Sequence, residues 1–268
     1  MQSTPHIHHH TRTLVRVVSL VSDVQRRAEF SARASETVVR WTFFDALTNL
    51  APDLHYDNVD ALIARGRPLS GGELGCYSSH YTLWRELVNS EYEQLLVLED
   101  DILLDWRFVE TIVNCDLQAA GIGYLRLFAK AAGVPILRGT CLDRYLYENV
   151  GYSLGTQAYL LTRGGAQHLL AHLNRVSCPI DDALDKGWRG SLPTYSVFPH
   201  PVIELAGESR IGVNRHAAVS MTTKLRLRRL IYRVADKFLR ITYQLQRRLA
   251  WRNKSKHVPV PPTPLNRN

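Results

Sequence analysis

The stretch Gln94-Leu95-Leu96-Val97-Leu98-Glu99-Asp100-Asp101 places four consecutive apolar residues directly before three acidic ones. A short, wholly apolar run is typical of a strand in a parallel sheet that helices cover on both faces. Ligands of open α/β sheets bind beyond the carboxyl ends of the strands. A divalent metal that holds a diphosphate would balance three adjacent carboxylates, because Mg²⁺ and Mn²⁺ prefer oxygen ligands. The alternative for this stretch alone is a solvated acidic turn.

The residues before this stretch predict a parallel strand–helix–strand unit. Residues 14–20 and 38–44 are rich in β-branched and other apolar residues, which predicts two strands. Between them, Ser22-Asp23-Val24-Gln25 has the capping-box pattern and predicts a helix to about residue 34. A second such pattern, Ser70-Gly71-Gly72-Glu73, predicts a helix through Val88 whose free N–H groups could face an anion.

The second half of the domain supplies a further pair of acids. Strands are predicted over residues 124–128, 145–150, 155–161 and 194–198, whereas residues 130–141, with their glycines and proline, and Ile203 are assigned to loops. Asp181 and Asp182 follow a turn fixed by Pro179. Glycosyl transfer needs such a division of labour, with one acid cluster for the metal of a sugar nucleotide and one carboxylate as general base.

Charge and cysteine content bear on where the protein works. The net charge of the 268 residues is +8, but residues 221–268 contribute +12, so the first 220 residues sum to −4. The four cysteines are widely spaced and no signal peptide or membrane-spanning segment is evident, which predicts reduced thiols in a cytoplasmic protein. Residues 1–13, with four histidines, are expected to form a mobile arm.

The basic tail has the periodicity of an amphipathic helix. Its cations lie largely off the apolar face, as expected for a helix on an anionic membrane surface. Alternatively, the helix could dock on the body of the protein, bind a partner helix or contact nucleic acid. No aromatic stacking pattern supports contact with nucleic acid. The apolar face comprises Leu227, Leu230, Ile231, Val234, Phe238, Ile241, Leu245 and Leu249.

A phosphoacceptor receiver domain is a quite different interpretation of the acidic strand, but the required later residues are missing. Such domains need another Asp at a strand end and a Lys on a later strand. Asp143 does not follow an apolar strand, and Lys186 lies outside any predicted strand. The sequence therefore disfavours this class.

Several segments, in order over residues 14–212, together resemble glycosyltransferase family 25, the bacterial lipooligosaccharide β-galactosyltransferases related to collagen galactosyltransferases. Each piece is short, and the ordered set carries the resemblance. The pieces are Val17-Val18-Ser19-Leu20 with Arg26-Arg27, Phe43-Phe44-Asp45-Ala46, Gly72-Glu73-Leu74-Gly75-Cys76 with Ser79-His80, Leu98-Glu99-Asp100-Asp101, Gly155-Thr156-Gln157-Ala158-Tyr159, Gly165-Ala166, Pro179-Ile180-Asp181-Asp182 and Ser209-Arg210-Ile211.

The resemblance implies a GT-A-type, Rossmann-like α/β fold with a mixed, mostly parallel sheet flanked by helices. With the patterns at the two ends of the chain, this gives an arm (1–13), a catalytic domain (14–220), a basic amphipathic helix (221–256) and a disordered end (257–268), and the basic helix has no part in the resemblance. The resemblance also implies an inverting, metal-dependent transfer of a hexose, above all galactose from UDP-galactose, to a hydroxyl of a lipooligosaccharide or LPS acceptor. The product is a β-linkage. The enzyme would then work at the inner face of the bacterial inner membrane.

The same resemblance suggests roles for single residues. Asp101 is the first candidate for the Mn²⁺ or Mg²⁺ ligand and Glu99 the second, and Glu99 or Asp100 is the candidate for ribose or a metal-bound water. Asp181 is the first candidate for the base, followed by Asp182. The remaining assignments are Ser19, Arg26 and Ala46 for the nucleotide, Glu73 and His80 for the sugar, and Gly155, Thr156 and Gln157 for the donor pocket.

Two positions depart from the family pattern. Ser209-Arg210-Ile211 stands where Ser-Asp-Ile is usual, and the first strand ends in Val-Ser-Leu where many members have Asn-Leu. The alternatives to the galactosyltransferase hypothesis are a UDP-glucose-dependent transferase of the same family and a non-catalytic protein that binds a membrane surface and keeps the fold.

Overall fold

The computed structural model describes residues 13–205 and 221–253. The predicted N-terminal arm, except Thr13, the Ser209-Arg210-Ile211 segment and the predicted disordered end lie outside these residues. The strands are β1 (Thr13–Ser19), β2 (Thr42–Asp45), β3 (His55–Tyr56), β4 (Gln94–Glu99), β5 (Ile102–Leu104), β6 (Tyr124–Arg126), β7 (Pro135–Cys141), β8 (Arg144–Asn149), β9 (Ala158–Thr162), β10 (Arg175–Val176), β11 (Thr194–Phe198) and β12 (Val202–Glu204). The α-helices are α1 (Val24–Arg33), α2 (Asn58–Ala64), α3 (Gly71–Val88), α4 (Trp106–Ile112), α5 (Arg163–His172), α6 (Ile180–Asp185) and α7 (Thr223–Asn253).

Eight strands form one mixed sheet in the order β2-β1-β4-β9-β6-β11-β8-β7. Six of them run in one direction, and only β9 and β8 run against it. The predicted α/β class with a mixed, mostly parallel sheet is therefore confirmed. The acidic stretch ends β4, which pairs in parallel with β1 on one side and antiparallel with β9 on the other.

The apolar residues of β4 explain why this strand is central. Leu95 and Val97 point into one buried cluster, and Leu96 and Leu98 point into the cluster on the opposite face of the sheet. All four are fully buried, so each contributes about 1.5–3 kcal/mol of transfer free energy on folding. A strand buried on both faces is what the uninterrupted apolar run predicts.

The predicted strand–helix–strand unit is present as β1, α1 and β2, with the two strands parallel. The second strand is shorter than predicted and begins at Thr42 rather than Val38, whose side chain is exposed. The predicted capping box at Ser22 is wrong. Asp23 is the N-cap residue and its side chain makes no capping hydrogen bond, but lies 3.9 Å from Arg26 Nε.

The predicted capping box of α3 is confirmed. Glu73 N–H donates to Ser70 Oγ, and Ser70 N–H donates to Glu73 Oε2. One turn into the helix, a Cβ on Gly75 would lie 2.2 Å from the carbonyl oxygen of Leu47. Glycine at this position lets α3 pack closely against the segment that leaves β2, and so holds the two near one edge of the sheet.

Two segments assigned to loops form strands instead. Residues 135–141 are β7, paired with β8 in a hairpin with a register shift between Leu137 and Gly139. A proline is tolerated here because β7 is an edge strand. Ile203 lies in β12. This strand pairs with β5, the strand that directly follows the acidic turn.

Candidate active site

The acid triplet lies at the carboxyl end of β4 and in the turn to β5. Arg26 of α1 bridges two of its members, with Nη1 3.1 Å from Asp100 Oδ1 and Nη2 3.1 Å from Asp101 Oδ2. Arg33 Nη2 also donates to the backbone oxygen of Asp100, at 2.8 Å. Helix α1 thus supplies cations to two of the three adjacent acidic residues.

Glu99 faces a different set of partners. Its Oε1 accepts a hydrogen bond of 2.9 Å from the hydroxyl of Thr156. Burial, and then the negative charge of Asp101, raise the pKa of Glu99 to about 8. Burial likewise raises the pKa of Asp101, although Arg26 opposes this shift. The negative charge at the end of β4 is therefore only partly compensated within the protein.

Glu204 of β12 adds a further carboxylate to this region, and nothing in the sequence marked it beforehand. Its charge contributes to the raised pKa values of both Glu99 and Asp101. Glu204 Oε1 accepts hydrogen bonds from Lys130 Nζ at 2.9 Å and from Gln157 Nε2 at 2.8 Å. The antiparallel pairing of β12 with β5 brings Glu204 to the acid triplet.

The donor set suits a hard divalent cation. Asp101 Oδ1 is buried and has no hydrogen-bond partner, and a metal ion would satisfy it. Within residues 13–205 and 221–253, no three His, Cys, Asp or Glu side chains converge to form a complete metal site. A cation at Asp101 and Glu99 would therefore take its other ligands from water or a diphosphate, as Mg²⁺ commonly does.

The second acid pair lies in the first turn of α6, directly after Pro179. Asp181 Oδ2 accepts from the N–H of Gly155 at 3.4 Å, and its Oδ1 accepts from the N–H of Asp182 at 2.9 Å. Asp182 Oδ2 lies 2.6 Å from Arg65 Nη1. Burial raises the pKa of Asp182 to about 6 although Arg65 lowers it, and the charge of Asp181 adds to the increase.

A five-residue segment, 153–157, connects the two acid clusters. Leu154 N–H donates to Asp185 Oδ2 of α6 at 2.7 Å, and the next residue, Gly155, donates to Asp181. The two residues after that bind Glu99 and Glu204 through their side chains. Gly155 has φ +87°, and a Cβ there would lie 2.4 Å from Gln157 Oε1, so the turn requires glycine. The sequence-predicted Gly155, Thr156 and Gln157 thus lie between the clusters.

Arg126 contacts this segment from the protein interior, and it was not identified from the sequence as part of the site. Its side chain is fully buried, and Nη2 lies 3.0 Å from Asp185 Oδ1, which is equally buried. Arg126 also donates to the backbone oxygen of Leu154 at 2.7 Å and to that of Asp181 at 3.5 Å. The available signal was a single arginine within the otherwise apolar run of residues 124–128.

The residues predicted for the nucleotide lie at the same edge of the sheet. Ser19 ends β1 and pairs with Asp45 of β2, while its neighbour Val18 pairs with Glu99. The N–H of Ala46 donates to the backbone oxygen of Ser19 at 2.9 Å. Ser19 and Ala46 therefore lie beside the acid triplet, across which Arg26 extends from α1.

The residues predicted for the sugar lie on α3. Glu73 is occupied by its capping role and by Arg67 Nη2 at 2.7 Å. His80 is buried, its Nδ1 lies 2.8 Å from Tyr159 Oη, and burial lowers its pKa to about 4, so the ring is neutral. One turn earlier, burial and the charges of Glu99 and Asp181 raise the pKa of the Cys76 thiol. Helix α3 therefore passes near both acid clusters at Cys76.

Comparison with known proteins places these features in a family. The family model of glycosyltransferase family 25, described as LPS biosynthesis protein, matches residues 13–184. This range includes β4, the acid triplet, segment 153–157 and the acid pair of α6.

The chain covers different fractions of three similar proteins. The chain is 32% identical over 163 residues, 58% of its length, to the human "Inactive glycosyltransferase 25 family member 3", and covers 27% of that protein. It is 30% identical over 130 residues, 44% of its length, to human procollagen galactosyltransferase 2, and covers 20% of it. The chain thus spans about a quarter or less of these two human proteins. The Haemophilus influenzae lipooligosaccharide biosynthesis protein lic2B is 25% identical over 275 residues, 90% of this chain and 97% of that protein.

Proposed function

Because the chain belongs to glycosyltransferase family 25, we propose that it is an inverting glycosyltransferase with a GT-A-type fold. The hexose would be galactose from UDP-galactose, and the acceptor a hydroxyl group of a lipooligosaccharide or LPS. The name of the human galactosyltransferase supports the donor, and that of the lipooligosaccharide biosynthesis protein supports the acceptor. The observation that carries the proposal is segment 153–157, which binds both acid clusters through consecutive residues.

The first acid cluster would hold the metal. Asp101, with its unpartnered Oδ1, and Glu99 would bind Mn²⁺ or Mg²⁺. When bound, such an ion neutralises the charge that develops on the departing diphosphate. Arg26, placed between Asp100 and Asp101, adds a cation beside the same group. Ser19 and Ala46, at the neighbouring strand ends, would contact the nucleotide.

The second cluster would supply the base. The acceptor oxygen forms a bond to the anomeric carbon as the bond from that carbon to the diphosphate oxygen breaks, and the hydroxyl proton passes to a carboxylate. A single displacement of this kind inverts the anomeric centre and gives the β-linkage. Asp181 is the first candidate because two backbone N–H groups orient its carboxylate. Asp182 is held by Arg65 instead.

A non-catalytic role is the second candidate, since one relative is named as an inactive family member. Incubation with UDP-galactose, Mn²⁺ and lipooligosaccharide distinguishes the two. The transferase releases UDP only when acceptor and metal are present, and Asp181→Asn reduces this release by roughly 10²–10⁴-fold. Asp143→Asn, at a carboxylate with 77% of its side chain exposed, is the matched control and should retain full activity.

Parallel reactions with UDP-glucose test the donor. If acceptor-dependent release of UDP is faster from UDP-glucose than from UDP-galactose, the proposed donor becomes UDP-glucose. Absence of acceptor-dependent release from either donor, in a protein that still unfolds cooperatively, would favour the non-catalytic alternative.

A further inference from the structure

Helix α7 packs on the body through one face, which is polar and aromatic. Asp236, the only acid of the helix, accepts from Trp188 Nε1 at 3.0 Å and lies 2.5 Å from Arg189 Nε. Farther along, Gln244 Nε2 donates to the backbone oxygen of Val150 at 2.8 Å, and Arg247 pairs with Glu148. These contacts fix the rotation of the helix about its own axis.

The opposite face of α7 is apolar and open to solvent. At about 100° per residue its members fall on one stripe, on the other side of the helix from Asp236. Between 45% and 70% of each residue is exposed, whereas apolar side chains on a packed helix are normally buried. The stripe comprises Leu227, Leu230, Ile231, Val234, Phe238, Ile241, Leu245 and Leu249.

Cations flank this stripe on both sides. None of them forms an ion pair with a residue that the structure describes, in contrast to the arginines of the docked face. Since Asp236 is turned to the body, the exposed surface of α7 carries positive charge without a compensating acid. One edge has Arg226, Arg233, Lys237 and Arg248, and the other has Lys224 and Arg228.

We propose that this face of α7 lies on an anionic lipid bilayer, with the apolar stripe inserted between the headgroups and the flanking cations against lipid phosphates. Exposed apolar side chains, bordered by cations that pair with no residue in the described ranges, match that surface in both chemistry and shape. A second copy of the chain is a poorer occupant, because its cationic edges would meet the same charges. None of the helices described here is long and apolar enough to span a membrane.

The docking contacts also hold the second acid pair close to α7. Arg229 of α7 donates to the backbone oxygen of Arg65 at 3.3 Å, and the side chain of Arg65 binds Asp182. Arg65 therefore links α7 to the acid pair of α6. This closeness would bring a lipid-linked acceptor to the acid pair, an inference that rests on the proposed function, whereas membrane binding does not.

Vesicle co-sedimentation of the full chain tests the proposal. The variant Val234→Ser/Phe238→Ser/Ile241→Ser removes the centre of the stripe without touching the docked face. We expect its partition onto vesicles of phosphatidylglycerol and phosphatidylcholine to fall by at least about tenfold, since each buried CH₂ group contributes roughly a fourfold gain in partition. Val38→Ser/Leu137→Ser, at exposed apolar positions elsewhere, is the matched control and should bind like the unaltered protein.

A second variant tests the charges. Arg233→Gln/Lys237→Gln should weaken binding by about fivefold per cation, and added salt should have the same effect, because each cation near an anionic surface contributes about that factor. Vesicles of phosphatidylcholine alone should bind the unaltered protein more weakly. Unchanged thermal unfolding of each variant shows that the body is intact, as expected for exposed positions.

Two results would overturn the proposal. One is equal binding by the stripe variant and the unaltered protein. The other is a protein that binds no vesicles but is a dimer by light scattering and becomes monomeric in the stripe variant. That outcome would assign the stripe to a second copy of the chain.

Discussion

Asp182→Asn should stabilise the protein at neutral pH, because the native structure disfavours the charge of this side chain. Burial, only partly offset by Arg65, raises the pKa of Asp182 from 3.8 to about 6. Below pH 3.8 the carboxyl is protonated in both states and imposes no cost on the native state. As the pH rises from 3.8 to about 6, the carboxyl ionises in the unfolded chain but not in the native protein, and the native state loses stability relative to the unfolded chain. The loss at pH 7 is about 3 kcal/mol, at ~1.4 kcal/mol for each unit of the shift. Asparagine, which is neutral, avoids it.

Urea unfolding at two pH values measures this effect. At pH 7 the variant should be more stable than the unaltered protein by at least about 1 kcal/mol, with ~3 kcal/mol as the upper limit, because Asn loses the ion pair with Arg65. At pH 4 the difference should shrink to about 0.5 kcal/mol or less. Asp143→Asn, at an exposed carboxylate, should show no such dependence on pH. A gain of equal size at both pH values, or a loss at pH 7, would refute the argument from burial.

The remaining predictions concern the acids and their supports. Asp181→Asn should reduce turnover by roughly 10²–10⁴-fold with little change in stability, and activity that survives it but disappears in Asp182→Asn would transfer the role of base to the latter. Asp101→Asn should abolish both Mn²⁺-dependent turnover and the rise in melting temperature that Mn²⁺ produces, and an undiminished rise would disprove the ligand assignment. Arg126→Met should lower the free energy of unfolding by about 3–5 kcal/mol, because it leaves Asp185 buried without its partner. Adding Asp185→Asn should recover part of that loss, and no recovery would indicate that Arg126 acts through packing alone.

The local patterns that predicted correctly are those in which neighbouring residues determine the outcome. The apolar run 95–98 forms a strand buried on both faces, and Ser70 with Glu73 forms a reciprocal cap. Both depend on periodicity or on contacts three residues apart, which the sequence displays directly. The placement of the acid triplet at the edge where β1 and β2 also end follows from the same parallel pairing.

The patterns that failed depend on partners distant in the chain. Pro135 and Gly139 indicate a loop by composition, but an edge strand tolerates both, and only the sheet order shows that β7 lies at an edge. β12 has three residues and exists through its pairing with β5, about a hundred residues earlier. At Ser22 the capping pattern is present, yet Asp23 takes the N-cap position and lies near Arg26.

The candidate site also contains residues that local sequence predicts and residues that only tertiary contacts reveal. The acids were visible because they follow strands or a proline, whereas Glu204 and Arg126 become part of the site only through tertiary contacts. Glu204 reaches it by the β5–β12 pairing, and Arg126 by its ion pair with Asp185, 59 residues further along the chain. The apolar neighbours of Arg126 indicate that it is buried, but no sequence neighbour of either residue identifies its partner.

The tail shows why amphipathic periodicity does not identify the face that packs. The eight-residue apolar stripe would ordinarily be assigned to the interior, but the body offers α7 polar and aromatic partners instead: Trp188, Arg189 and Glu148. Arg240 lies 5.4 Å from the ring centre of Tyr152 and adds a cation–π contact on the same side. Because those contacts satisfy Asp236, the stripe is left free for another surface. A helix that packed by its stripe would have buried the proposed membrane contact and exposed its only acid.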